Sequence, residues 1–147
     1  MPASFFVRDI APSDRLRWQP LWQGYQPSGG IAEEVTDTTW RRFFDGLEPV
    51  HALVAEEGEA LIGFAHYLFH RSTAQLGCVC YLQDMFVVQA ARGRGVGRAL
   101  IDGVSVRAKA AGASRVYWVT GETNAAARAL YDKVGTLTRF VQYRKNL

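Results

Sequence analysis

Hydrophobic and polar positions along the chain follow two periods that take turns. Six runs rich in β-branched and aromatic residues read as strands: 4–10 (SFFVRDI), 50–57 (VHALVAEE), 59–72 (EALIGFAHYLFHRS), 78–88 (CVCYLQDMFVV), 114–122 (SRVYWVTGE) and 138–146 (TRFVQYRKN). Four others read as helices. The pattern at 12–25 starts near a cap at Ser13 or Asp14 and meets Pro20, which is expected to kink or divide it. A short helix over 36–46 stops at Gly46 after the loop at 26–30. Over 97–112, Leu100, Val104 and Ala108 fall at helical spacing and Gly112 is the stop, while 124–135 opens on Asn124 and stops at Gly135.

Glu57-Gly58-Glu59 predicts a hairpin, so the runs at 50–57, 59–72 and 78–88 form an antiparallel meander. The order is β-α-α-β-β-β-α-β-α-β. This is an α+β layered sheet of mixed direction.

With 147 residues, 48% hydrophobic and 21% charged, the chain suits one folded domain spanning 1–147. No apolar run approaches the roughly 20 residues that cross a bilayer, and the N-terminus lacks a signal-peptide pattern. A cytoplasmic protein with no membrane role is expected. Cys78 and Cys80, two apart on one strand, suit neither a disulfide nor, without further ligands, a zinc site; they read as buried thiols, and no metal is expected. A net charge of +3, scattered except near 92–98 and 139–145, does not argue for nucleic acid as a partner.

The candidate chemistry sits in Arg92-Gly93-Arg94-Gly95-Val96-Gly97-Arg98, between an apolar strand and a helix. Its glycines are spaced G-x-G-x-G, so it is not the dinucleotide fingerprint G-x-G-x-x-G, and no Gly-Lys-Ser or Gly-Lys-Thr of a P-loop occurs in the chain. What is left is a glycine turn that exposes backbone N–H groups at a helix start, with arginines at its rim. Such a turn suits a pyrophosphate.

The stretch YLQDMFVVQAARGRGVGRALI (81–101) resembles the central acetyl-coenzyme A motif of the GCN5-related N-acetyltransferase superfamily, [Q/R]-x-x-G-x-[G/A], with Arg92, Gly95 and Gly97 at its fixed positions. NAAARALYDKVG (124–135) is similar to the family's helix with an asparagine and, seven residues on, a tyrosine. Together with VYWVTGE, YLQDMFV looks most like the branch of diamine and polyamine acetyltransferases and the yeast histone and polyamine acetyltransferases. The resemblance implies a mostly antiparallel central sheet of about six to seven strands flanked by about four helices. It also implies acetyl-coenzyme A as co-substrate.

The same resemblance implies site residues. Gly93, Arg94, Gly95, Val96, Gly97 and Arg98, with Arg92, would hold the pyrophosphate. Met85, Phe86 and Val87 would pair with the pantetheine arm like an added strand, next to a bulge that frees an N–H for the acetyl carbonyl. Asn124 would contact that arm, and Tyr131, near the sulfur, would protonate the departing thiolate. Asp84 is the candidate base acting through water, with Glu122 and His66 behind it. Relatives carry Glu then Asp at this point, whereas this chain has Gln83 then Asp84, and a Gln is no base.

The amine would meet the segment before the meander, whose Trp18, Trp22, Tyr25, Glu33, Glu34 and Trp40 mix aromatics and acids; Trp22, Tyr25, Glu33 and Gln83 are the candidate acceptor contacts. A primary amine of a polyamine, an amino acid or a lysine side chain is the expected acceptor. A non-catalytic acyl-coenzyme A-binding module and a basic nucleic-acid-binding domain are the alternatives. The apolar FVQY near the C-terminus predicts an edge strand that pairs with or swaps into another subunit, and so a homodimer.

Overall fold

The computed structural model describes residues 4–147. Five strands lie side by side in chain order: β1 (Phe6–Asp9), β2 (Val50–Glu57), β3 (Ala60–Arg71), β4 (Cys78–Val87) and β5 (Val116–Tyr117). The first four are antiparallel, and β5 joins β4 in parallel after a crossover. That crossover is α3 (Val96–Ala110), whose Val96, Leu100, Ile101, Val104 and Ala108 are buried on one face of the sheet. α4 (Ala125–Val134) packs on the same face through Leu130, Tyr131 and Val134.

The opposite face is aromatic. α1 (Arg15–Tyr25) and α2 (Glu33–Arg42) bring Trp18, Leu21 and Trp22 onto Val54 and Phe64, with Trp40 and Phe43 at the border. Trp18 is fully buried and stacks on Trp22 at 5.9 Å between ring centroids. The α1 end is tied to the sheet by charge. Asp14, buried in the 3-10 turn before α1, accepts from Arg8 of β1 at 2.7 and 2.9 Å, from Arg17 at 2.5 Å and from the Ala11 N–H at 2.7 Å. These donors hold its carboxyl well below the usual range, at about 2.

The α+β class, the meander and the four helices agree with the sequence reading, with three adjustments. Pro20 lies inside α1 without dividing it. α2 begins three residues early, at Glu33, and ends at Arg42, ahead of the expected stop at Gly46; Glu33 and Glu34 in its first turn and Arg41 and Arg42 in its last suit the helix dipole. Among the described residues the strand count is five, below the expected six to seven. Residues 138–146 form no strand: a strand exists only through a ladder partner, and here Phe140 and Tyr143 stand 91% and 92% exposed.

Both cysteines are free thiols, Cys80 buried and Cys78 half-buried, and burial pushes the Cys80 thiol up to about 11. Among the described residues no helix is long and apolar enough to cross a membrane.

Candidate active site

β4 and β5 share only two rungs, Cys80 with Val116 and Tyr81 with Tyr117, and then diverge. The gap between them is a cleft of about 380 Å³. One wall is Leu82, Gln83 and Met85 of β4; the other is Trp118, Val119, Thr120, Gly121, Asn124 and Tyr131, and Tyr25 reaches in from α1.

A bulge shapes the β4 wall. His66 of β3 pairs with Asp84 while the next residue, Tyr67, pairs with Leu82, so Gln83 has no partner. The extra residue sends Leu82 and Asp84, two apart in sequence, to opposite faces. Leu82, like Cys80, joins the core under α3, as do Met85 and Val87, whereas Phe86 packs with the aromatic cluster under α1. Asp84 also turns that way: its Oδ2 lies 3.0 Å from His66 Nδ1.

Asp84 is 15% exposed at its side chain and stands behind the cleft wall, beside the Tyr25 phenol. Burial, and then the Asp84 charge, hold that phenol well above the ordinary tyrosine value. His66 is buried among Trp18, Trp22, Phe43 and Phe64, and its other nitrogen, Nε2, faces the Trp18 N–H at 3.1 Å. Burial pushes the His66 pKa down, against the pull of Asp84.

At the far end of β4, Gly93 and Gly95 take left-handed φ values of +77° and +84°, which only glycine adopts without strain. Gly95 caps α3, and the first intrahelical bond runs from the Ala99 N–H to the Gly95 carbonyl at 3.0 Å. The N–H groups of Val96, Gly97 and Arg98 therefore stand ahead of the helix ladder. No side chain or backbone lies within 4 Å of where a Cβ on Gly93 or Gly95 would sit, so the turn is open. At Gly97 a Cβ would instead press on Leu130 at 3.2 Å, because α3 and α4 approach closely there.

The arginines around this turn are not alike. Arg92 donates to the Val87 carbonyl at 3.1 Å and lies over the Phe86 ring. Arg94 is already paired with Glu57, whose carboxyl it holds down at about 2. Arg98 is exposed.

α4 supplies the remaining wall. Asn124 caps it by accepting from the Ala127 N–H at 3.3 Å and also donates to Thr120 at 3.4 Å. Two helical turns on, Tyr131 enters the cleft, with its phenol raised by burial alone. A phenol so placed stays protonated and can give a proton.

The structure gathers Tyr25, Gln83, Met85, Asn124 and Tyr131 around one cleft, with Asp84 just behind. Trp22 does not reach it: the ring is core and its N–H is donated to Thr36. Glu33 is exposed on the first turn of α2 and does not line the cleft, and neither does Glu122. Val96 is buried at its side chain and offers only its N–H. Trp118, Val119, Thr120 and Gly121, not singled out from sequence, form much of the second wall; the signal was the apolar run after Ser114, whose outer half leaves the ladder. Among the described residues, no cluster of three His, Cys, Asp or Glu is set to hold a metal.

Such a glycine turn on a splayed, bulged strand defines an acetyltransferase fold, and residues 16–136 match the family model described as the Acetyltransferase (GNAT) family. The chain belongs to that family and is an N-acetyltransferase, an enzyme that moves acetyl groups to amines. It is 41% identical over 145 residues to the D-amino-acid N-acetyltransferase HPA3 of Saccharomyces cerevisiae, covering 95% of this chain and 89% of that one. It is 34% identical to the uncharacterized N-acetyltransferase YhfO of Bacillus subtilis, over 96% and 97% of the two chains. The fold is shared with AAC(6')-Iy, solved with a bisubstrate analog carrying CoA, at a TM-score of 0.84, 19% identity and coverage of 99% and 100%.

Proposed function

We propose that residues 1–147 act as one N-acetyltransferase domain that transfers the acetyl group of acetyl-coenzyme A to a primary amine by direct attack in a ternary complex. The cleft between β4 and β5 carries this reading: a protonated phenol and an unpaired bulge line it, and a carboxylate stands just behind its wall. Bound acetyl-coenzyme A would supply an acyl thioester. The chain's residues fit it. The open turn at Gly93 to Gly97 and its free N–H groups accept a pyrophosphate, with Arg92 and Arg98 at the rim and Arg94 contributing less because Glu57 already holds it. The freed edge at Met85, Phe86 and Val87 accepts a strand-like pantetheine arm, and Asn124 stands on the opposite wall to bond it.

Asp84, through a bridging water, is the base that takes the proton of the incoming ammonium. Tyr131 donates to the sulfur as its bond breaks. A backbone N–H at the bulge polarises the acetyl carbonyl. None of these three steps needs a metal. Tyr25 and Gln83 face the acceptor, which is a small molecule or a peptide amine; the name of the yeast relative makes amino acids, of both hands, the first to try.

A panel of amino acids, polyamines and a lysine peptide, followed by thiol release, tests this. Turnover with intersecting initial-velocity lines is expected. No thiol release with any acceptor and no acetyl-coenzyme A binding by calorimetry would overturn it.

The working unit is a homodimer in the cytoplasm. Support comes from the C-terminal segment, where Leu137, Phe140, Val141 and Tyr143 are 71%, 91%, 76% and 92% exposed, and from β5, which among the described residues has a strand on one side only. Exchange of this segment between two copies covers both. Light scattering should give twice the chain mass, falling to one chain mass after truncation at Gly135.

A further inference from the structure

We propose that His66 is a positioning residue for Asp84 and that Trp18 determines which of its nitrogens carries the proton; this rests on Asp84 being the base. The logic is that of donors and acceptors. An indole N–H only donates, so His66 Nε2, 3.1 Å from Trp18 Nε1, must be an acceptor. The neutral ring then has its proton on Nδ1, and that N–H donates to Asp84 Oδ2 at 3.0 Å. The alternatives are both excluded by contact. An imidazolium or an Nε2–H tautomer would set N–H against N–H at Trp18, buried among Phe43, Phe64 and Trp22.

Two consequences follow for the reaction. One carboxylate oxygen is anchored through a buried pair of rings, which leaves the other free of His66 for the Tyr25 side. A proton taken up by Asp84 also cannot pass inward, because Nδ1 is already protonated and Nε2 is occupied. It must leave by the side it entered. His66 therefore orients the base without being one, and the titratable neighbours that face Asp84 are His66 from β3, Tyr81 from β4 and Tyr25 from α1.

Substitutions that separate the two ring positions test this. The His66→Asn amide N–H lies where Nδ1–H does, whereas the amide of His66→Gln extends toward the Nε2 position. H66N should keep kcat within about threefold of wild type, while H66Q should lose at least about tenfold in kcat with KM for acetyl-coenzyme A unchanged. In the unmodified protein, nitrogen NMR of the imidazole should give the neutral Nδ1–H tautomer from about pH 6 to 9, and Trp18→Phe should mix the two tautomers. An Nε2–H or imidazolium spectrum in wild type overturns the proposal whether or not any variant folds, as does equal loss of kcat in H66N and H66Q. Full turnover by Asp84→Asn removes the base itself; loss of turnover there, with H66N and H66Q alike, removes only the positioning role.

Discussion

Tyr131 meets Trp118 edge to face, with ring centroids 5.5 Å apart and planes at 65°. The contact joins α4 to the strand end that lines the cleft and steadies the phenol where a leaving sulfur would be. Tyr131→Phe keeps this ring contact and removes only the hydroxyl. It should lower kcat by about 100-fold, the scale of one general acid, with KM for acetyl-coenzyme A within about twofold. Steady-state kinetics with saturating acceptor checks this.

Gly95 carries the loop's conformation. Alanine there has open space but a φ of +84°, so the cost is backbone strain of about 1–2 kcal/mol and not a clash. The turn relaxes by reorienting the N–H groups ahead of α3. Gly95→Ala should raise KM for acetyl-coenzyme A about tenfold and leave kcat nearly unchanged, as read from a cofactor titration.

The proposed mechanism gives the bulge at Gln83 a role that stability does not require. Deleting Gln83 would let β3 and β4 pair without interruption, with His66 still opposite Asp84 and Tyr67 opposite Leu82. The variant should melt at or above the wild-type temperature yet lose at least about 100-fold in kcat/KM, since the freed N–H goes with the extra residue. Calorimetry beside an activity assay checks both halves.

Asp14 should govern acid stability. Its folded pKa of about 2 lies below the ordinary 3.8, so its contribution is fully present above about pH 4 and is lost as pH falls toward 2. Asp14→Asn leaves Arg8 and Arg17 without their buried partner and should cost about 3 kcal/mol at pH 7. Denaturant midpoints should converge between pH 4 and pH 2.

Much of this protein is written in local pattern. Strand and helix periods, the cap at Asn124, and the glycine spacing are short-range properties, each readable from a few neighbouring residues. They sufficed for the α+β class, the open glycine turn before α3 and the place of Tyr131 two turns after Asn124. The residues at 138–146 have the same alternation and yet no strand, because pairing is a property of two segments and the pattern describes one. Only the tertiary structure decided which side Asp84 faces. One unpaired residue at Gln83 turned it toward His66, and a tryptophan 48 residues before that histidine donates to the ring's other nitrogen. Bulges and buried hydrogen bonds arise from packing between distant segments, which no local period records.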